Sequence, residues 1–342
     1  MILEPPTMYQ TFSSALLPPL FTSLPGVTAL TVAAMSQNIE ATPLVVALED
    51  HYNSTSYRFI NGLPALGADP GIDLYAGSEV HVLHDAPQHP DLRVLATVVE
   101  FSYRIVADRR KGIHQPSDLR DKRIGVVAGV TYRVLCLLVP ARRGRVQRRT
   151  STRSSRPASS ATRCPAAKGR TYPHMLATTG EIDALTAFEP TTTVGGMALG
   201  EENAIFFRND LLYRKLNVLY TTQAKLDNVT ARAEIVGFLR ALGKTQEVFT
   251  KEPEKILPRV AEITAAATSN MTVNMATEEI MRKFWPLTKW ARGLAADMVD
   301  LMVEEDKWLA VIESRSGGPM SRERIESLVD DRPLKEALAL EG

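Results

Sequence analysis

The sequence predicts an α/β protein, and three features predict it. Short apolar runs of strand length alternate with helical patterns through the first half of the chain. A buried strand is followed by a glycine-bearing turn that opens a helix, an arrangement that presents backbone N–H groups to a ligand. The last third is helical. With 342 residues and 44% hydrophobic content, the chain can bury a full core and is long enough for two lobes or domains.

Residues 1 to 26 read as a Pro-rich extension. VTALTVAAM (27 to 35) suits a buried parallel strand, and SQNIEATP then turns into the helix PLVVALEDHY. Thr42 or Ala41 stands near the helix start, and Pro43 takes a first-turn position, where its missing N–H costs nothing. After the glycine-rich NGLPALGADPG, IDLYAG is a strand running into a turn, and SEVHVLHDA is helical with Val80, Leu83 and Ala86 inward. DLRVLATVVEFSYRIVADR (91 to 109) reads as a strand, a break near Glu100 and a second strand. RIGVVAG (123 to 129) is the strand ahead of the turn Gly129-Val130-Thr131-Tyr132, and PHMLATTGEIDALTAFEP (173 to 190) is a helix, a short strand and a polar Glu189-Pro190. The carboxyl third carries helical stripes through Ile235, Leu239 and Leu242, then Ile256, Leu257, Val260 and Ile263, then Met298, Met302, Trp308 and Ile312. Pro333 opens a last helix, DRPLKEALAL.

The net charge of +1 hides a split. From Lys122 to Thr179 there are thirteen Lys and Arg and no Asp or Glu, which leaves about −12 on the remainder. The core of that stretch, ARRGRVQRRTSTRSSRPASSATRCPAAKGR, has no apolar period. Read from 133 to 172 it fits a solvated linker or a basic nucleic-acid-binding insert without aromatics to give specificity. We favour a third reading, an out-of-frame or unspliced segment, because periodicity stops after Pro140 and resumes at Pro173. Residues 141 to 170 are then expected to be exposed and without regular secondary structure.

Several function classes are excluded. Cys136 and Cys164 are the two cysteines, too few for a disulfide framework or a Cys-rich metal site. P-loop, dinucleotide and Ser or Cys nucleophile motifs are absent. His81 and His84 lie one helical turn apart with His89 nearby, but no paired carboxylate-histidine spacing of a known metal site accompanies them, so a helix with solvent-facing histidines explains them. The apolar stretch 15 to 34 has no Lys or Arg before it and is broken by Pro18, Pro19 and Pro25; neither an export signal nor a transmembrane span is read, and a cytoplasmic location is expected.

KGIHQPSDLRDKRIGVVAGVTY (111 to 132) and PHMLATTGEIDALTAFEP (173 to 190), in this order and spacing, resemble the type II periplasmic-binding-protein superfamily, specifically its alkanesulfonate, taurine, nitrate and thiamine-pyrimidine-precursor binding proteins. The resemblance spans about 27 to 132 and 173 to 340, and the terminal phrase D-x-x-x-L-x-x-A-L, here Asp330 to Leu338, also matches. It implies a two-lobed, periplasmic-binding-protein-like II fold: residues 27 to 105 and 216 to 342 as lobe one, 106 to 215 as lobe two, and carboxyl-terminal helices covering lobe one. It implies a solute-binding component, like those of ABC transporters, rather than an enzyme. The alternative on the same fold is the thiamine-pyrimidine enzyme hydroxymethylpyrimidine phosphate synthase, whose Cys-rich iron motif is not present here.

Five segments are implied to meet in the cleft: Ser36 to Thr42 with Asn38 and Glu40, Ala76 to Glu79 with Ser78, Glu100 to Tyr103, Gly129 to Tyr132 with Thr131, and Phe188 to Pro190. Gly129, Thr131 and Tyr132 would anchor an acceptor atom, a contact worth about 1 to 3 kcal/mol to a charged one. Glu189-Pro190 matches the family's carboxylate-Pro phrase, with Phe188 where relatives often carry Trp. Glu40, Glu79, Glu100 and Glu189 would repel bare nitrate or sulfonate unless paired with Lys or Arg. Tyr75, Tyr103, Tyr132 and Phe188 could sandwich a flat ring. The expected partner is a small amine-bearing or aminopyrimidine-like ligand, with no cofactor, metal, nucleic acid or stable membrane insertion.

Overall fold

Strands that are apolar on both faces need helices on both sides, and the first sheet has them. The computed structural model describes residues 29–53, 56–126, 161–162, 172–210, 213–268, 277–290 and 292–340. The first sheet has six strands: β1 (Leu30–Ala34), β2 (Tyr57–Asn61), β3 (Leu74–Ser78), β4 (Leu92–Ser102), β10 (Arg214–Thr222) and β11 (Thr288–Lys289), in the order β11-β4-β10-β3-β1-β2. β1 is parallel to β2 and β3, while β10 is antiparallel to both of its neighbours.

Alternate residues of each strand enter different cores. Leu30, Val32, Ala34, Leu74, Ala76 and Leu219 pack under α1 (Thr42–Val46), α6 (Val229–Lys251), α7 (Pro253–Ala267), α8 (Glu278–Phe284) and α11 (Arg332–Ala339). Ala33, Tyr75, Leu216, Val218 and Tyr220 pack instead under α2 (Glu79–Asp85), α9 (Met298–Ile312) and α10 (Arg322–Glu326). The carboxyl-terminal helices therefore cover this sheet on both faces. The short α5 (Gln223–Asp227) follows β10 directly and is capped by Thr222, whose hydroxyl accepts from the Lys225 N–H.

The second sheet comes from the intervening chain: β5 (Arg104–Asp108), β6 (Ile124–Val126), β7 (Ala161–Thr162), β8 (Ala184–Thr186) and β9 (Ala204–Arg208), in the order β7-β6-β8-β5-β9. The short helices α3 (Tyr172–Ala177) and α4 (Thr191–Leu199) accompany it. The chain leaves the first sheet through Tyr103 and returns between Arg208 and Arg214, so both crossings join the same two lobes.

The structure corrects three sequence expectations. The strand break falls at Tyr103 and not near Glu100, because β10 and β11 both pair with β4 out to Phe101 and keep it extended. Residues 141 to 170 were expected to lack regular structure, yet Ala161–Thr162 pair in parallel with Ile124–Gly125 and supply ladder partners to β6; the rest of that stretch lies outside the described residues. The polar, glycine-bearing TTTVGGMAL, unread as a helix, forms α4. Gly195 and Gly196 explain it, since a Cβ on Gly196 would sit 2.3 Å from the Phe206 ring and one on Gly195 3.2 Å from a Leu185 methyl. The helix gives up propensity to lie close on the sheet.

The β4–β10 ladder slips by one residue at Val98, since Asn217 faces Val99 while Val218 faces Thr97. A bulge leaves carbonyls without regular partners. The buried Gln246 of α6 fills that need, its Nε2 donating to the Thr97 and Val98 carbonyls at 2.9 Å each. Gln246→Leu leaves two buried acceptors unmatched and should cost about 2 to 4 kcal/mol in urea unfolding. A loss below about 0.5 kcal/mol, the range of an ordinary surface change, would show that the bulge is satisfied by other means.

Candidate functional site

The site forms where both crossings meet the strand ends of the first sheet. After β1 the chain makes one tight turn, Ile39–Ala41, closed by the Thr42 hydroxyl donating to the Ile39 carbonyl at 2.7 Å. This turn buries Glu40. Opposite it stands Lys215 of β10, also buried, whose Nζ donates to Glu40 Oε1. A buried ion pair survives only when its geometry offsets the desolvation of both charges. Here a third group helps: Glu79, fully buried at the start of α2, accepts from the Tyr213 hydroxyl and the Leu216 N–H, each at 3.0 Å. Tyr213 in turn lies against Tyr103, ring centroids 5.8 Å apart.

Lobe two contributes a second charged pair. Glu189 Oε1 accepts from Arg104 Nε at 2.9 Å, and its Oε2 accepts from the Thr193 N–H at 3.0 Å and the Thr193 hydroxyl at 2.7 Å. The carboxylate thus serves one of the N-terminal amides of α4 that have no partner within the helix. The Glu189-Pro190 peptide is cis. The Arg104 guanidinium also lies 4.3 Å over the Phe206 ring.

Two cavities share the Glu40–Lys215 pair as a common wall. The interlobe cavity is lined by Glu40, Tyr103, Arg104, Phe188, Glu189 and Lys215 among others and leaves about 10 Å³, room for one water-sized group. The other, of about 30 Å³, lies within lobe one and is lined by Asn38, Glu40, Ser78, His81, Lys215 and Asn217, with small apolar neighbours. Among the described residues, three buried acceptors on residues that line this second cavity have no hydrogen-bond donor: Asn38 Oδ1, Glu40 Oε2 and Asn217 Oδ1. Each such atom costs about 1 to 3 kcal/mol while unmatched.

The structure brings together Asn38, Glu40 and Ser78 at one cavity, and Glu40, Tyr103, Phe188 and Glu189 at the other. It separates the rest. Glu79 lines neither cavity and lies behind Lys215, while Thr42 is spent on its own turn. Glu100 is occupied by Arg214 and by Lys289 at 2.8 Å. Tyr75 stacks on Tyr220 in the lobe-one core at 5.5 Å. Gly129, Thr131 and Tyr132 lie outside the described residues. His81 is solvent-exposed as expected, while its Nδ1 lies 2.8 Å from the Ser78 hydroxyl and accepts from the Ser78 N–H at 3.2 Å, closing the cap of α2. His84 also faces solvent and lies 3.2 Å from Glu313. Among the described residues no group of three His, Cys, Asp or Glu is placed to hold a metal.

Sequence reasoning missed Lys215, Arg104 and Asn217. Its available signal was RKLNVLYTT, a strand-length run in which Lys215 and Asn217 interrupt apolar residues at a spacing of two, and so share a face.

Burial drives the titration behaviour. It pushes the Glu79 carboxyl up to about 7, against the Lys215 charge and the hydrogen bonds from Tyr213 and Leu216. It also pushes Tyr103 up to about 12, with Glu40, Glu79 and Glu189 adding to the rise against Lys215. Desolvation of the ring where it folds back on Ser78, and then the Lys215 and His84 charges, lower His81 to about 4, so it is neutral. For Lys215 burial works against the charge, but Glu40 and its neighbours outweigh it and the ammonium is held. Glu79 binds its proton more tightly folded than unfolded, so its contribution to stability is complete below its ordinary 4.5 and is lost as pH rises toward 7. Glu79→Gln should remove that part of the slope between those pH values. An unchanged pH profile of chemical unfolding would refute the assignment.

Neither a protein-family model nor a curated protein sequence matches this chain. Solved structures do. The periplasmic aliphatic sulphonate binding protein SsuA from Escherichia coli superposes with a TM-score of 0.61 at 13% identity, covering 86% of this chain and 96% of that one. The ligand-binding component of an ABC-type import system from Staphylococcus aureus, solved with zinc bound, gives 0.59 at 12% identity over 90% and 98%. A Candida albicans gene product described as having the generic periplasmic binding protein fold gives 0.51 at 15% over 89% and 96%. The chain has the periplasmic-binding-protein fold. The fold agrees with the two-lobed architecture that the sequence resemblance implies.

Proposed function

We propose that this protein binds a small solute between its lobes and that the ligand is a flat heterocycle bearing an amino group. The observation that carries the reading is the convergence of Glu40, Tyr103, Phe188, Glu189, Arg104 and Lys215 on one interlobe cavity at strand ends, the usual ligand edge of open α/β sheets. Two aromatic side chains, Tyr103 and Phe188, line it, and the charged groups are matched in pairs, Lys215 with Glu40 and Arg104 with Glu189. With about 10 Å³ free, the lobes must part at their two crossings before any ligand enters. The binding proteins among the structural neighbours add support at the level of fold.

Charge balance favours the amino heterocycle over a bare sulfonate. Both cavity cations are already bound to carboxylates, and the acceptors left over, Glu40 Oε2 among them, call for N–H donors. The test is calorimetric titration of the full chain with 4-aminopyrimidine and with ethanesulfonate, repeated on Phe188→Ala. We expect binding of the heterocycle, weakened about tenfold in Phe188→Ala by the lost ring contact, and none of the sulfonate at equal concentration. Tighter binding of ethanesulfonate, or binding indifferent to Phe188, would sink this reading.

A further inference from the structure

Tyr213 belongs to both lobes. Its ring is buried in the lobe-two core with Tyr103, Ile105, Ile124 and Phe207, while its hydroxyl donates to Glu79 Oε1 of lobe one at 3.0 Å. Tyr213 lies on the returning crossing and Tyr103 on the outgoing one, ring centroids 5.8 Å apart, so this hydrogen bond sits at the joint about which the lobes turn. Its acceptor is a fully buried carboxyl group. Of the two acids nearest Lys215, Glu40 takes the ammonium, and Glu79 is held by two neutral donors, Tyr213 and the Leu216 N–H. Ionised together, the three buried groups sum to one negative charge. A proton on Glu79 brings the sum to zero, which removes the cost of an uncancelled charge in the interior.

The other charged groups around α2 are engaged elsewhere. On the helix itself His81 is neutral and His84 meets Glu313. Across from Tyr103, Arg104 is paired with Glu189. On α9, which packs on α2, Glu305 and Asp306 are buried, and Asp306 is bound to Arg315, whose guanidinium also donates to the Leu83 carbonyl.

We propose that Glu79 is a proton-operated bolt between the lobes, which stays shut while the carboxyl group is neutral and opens when it gives its proton to solvent. With the lobes parted, the Tyr213 side of Glu79 meets water and the carboxyl returns toward its ordinary 4.5. With them closed, burial outweighs Lys215 and both hydrogen bonds and holds it up at about 7. Closure therefore takes up a proton. Its contribution is complete below 4.5 and is lost as pH rises through about 7. The bolt acts at the joint, whatever solute the cleft takes, and so stands apart from the heterocycle reading.

The test is small-angle X-ray scattering of the full chain without solute, from about pH 5 to about pH 8.5 at fixed ionic strength, on the wild type, Glu79→Gln and Tyr213→Phe. We expect the wild-type radius of gyration to rise as pH passes about 7, the ratio of open to closed molecules growing at least about tenfold. Glu79→Gln is neutral at every pH and should stay compact throughout. Tyr213→Phe removes a donor that steadies the ionised carboxylate in the closed joint, and should open about one pH unit lower. A purely structural Glu79 would alter the unfolding midpoint and leave the radius of the folded protein independent of pH. A wild-type radius that does not change with pH overturns the bolt, and so does an equal rise in Glu79→Gln, because another group then drives the motion. If Glu79→Gln does not fold, an opening midpoint unmoved in Tyr213→Phe is enough to overturn it.

Discussion

A buried ammonium beside buried carboxylates is tolerable only if several elements hold them in place at once, and at Lys215 that requirement organises the centre of the molecule. Glu40 requires the tight turn after β1. Glu79 requires α2 to begin directly at the end of β3, where its carboxylate can take the Leu216 N–H and the Tyr213 hydroxyl. Tyr213 requires the returning crossing to pass beside the outgoing one at Tyr103. The two passages between lobes are thereby tied to the strand ends of the first sheet through one charged cluster. Motion of the lobes and chemistry of the site depend on the same few atoms.

The sequence revealed more of the scaffold than of the site. Strand-length apolar runs and helical stripes locate β1, β3, β4 and α6, α7 and α9, because those residues are buried by their own local pattern. β2 is missed since Tyr57 and Arg58 are exposed at a sheet edge and show no apolar alternation. α4 is missed because its formation depends on Phe206 and Leu185 lying close above two glycines, a tertiary fact. Glu40, Tyr103, Phe188 and Glu189 were legible as residues of strand-end loops. Glu100 and Tyr75 were equally plausible on those grounds and differ only in which way the pleat turns them. The partners of the carboxylates were not legible at all: Lys215 is 175 residues from Glu40, and Arg104 is 85 from Glu189. A four-carboxylate cleft became two matched pairs, a hydrogen-bonded acid at Glu79, and Glu100 held between Arg214 and Lys289.

The lobes are built to different standards. The first sheet is sandwiched between two large apolar clusters fed by the helices of the carboxyl half, and the bulge at Val98, one of two register slips in its β4–β10 ladder, is repaired by Gln246. The second has smaller clusters around Ile105, Ile124 and Phe207 on one side and Val106, Leu176 and Leu185 on the other. Between the lobes, Val194 of α4 joins the lobe-one core, Lys283 of α8 pairs with Glu201, and Tyr103 lies against Tyr213 where the chain crosses, so apolar and polar contacts both fix how the two halves face each other.

β4 and β10 are adjacent antiparallel strands, and everything from Arg104 to Arg208 lies between them in sequence. To the first sheet, the whole second lobe is therefore the loop of a hairpin. A hairpin's pairing depends on where its strands begin and end, and hardly on what the connection contains. Evolution can lengthen, shorten or replace that connection without moving a single hydrogen bond of the first ladder, which makes the second lobe an exchangeable jaw on a fixed one.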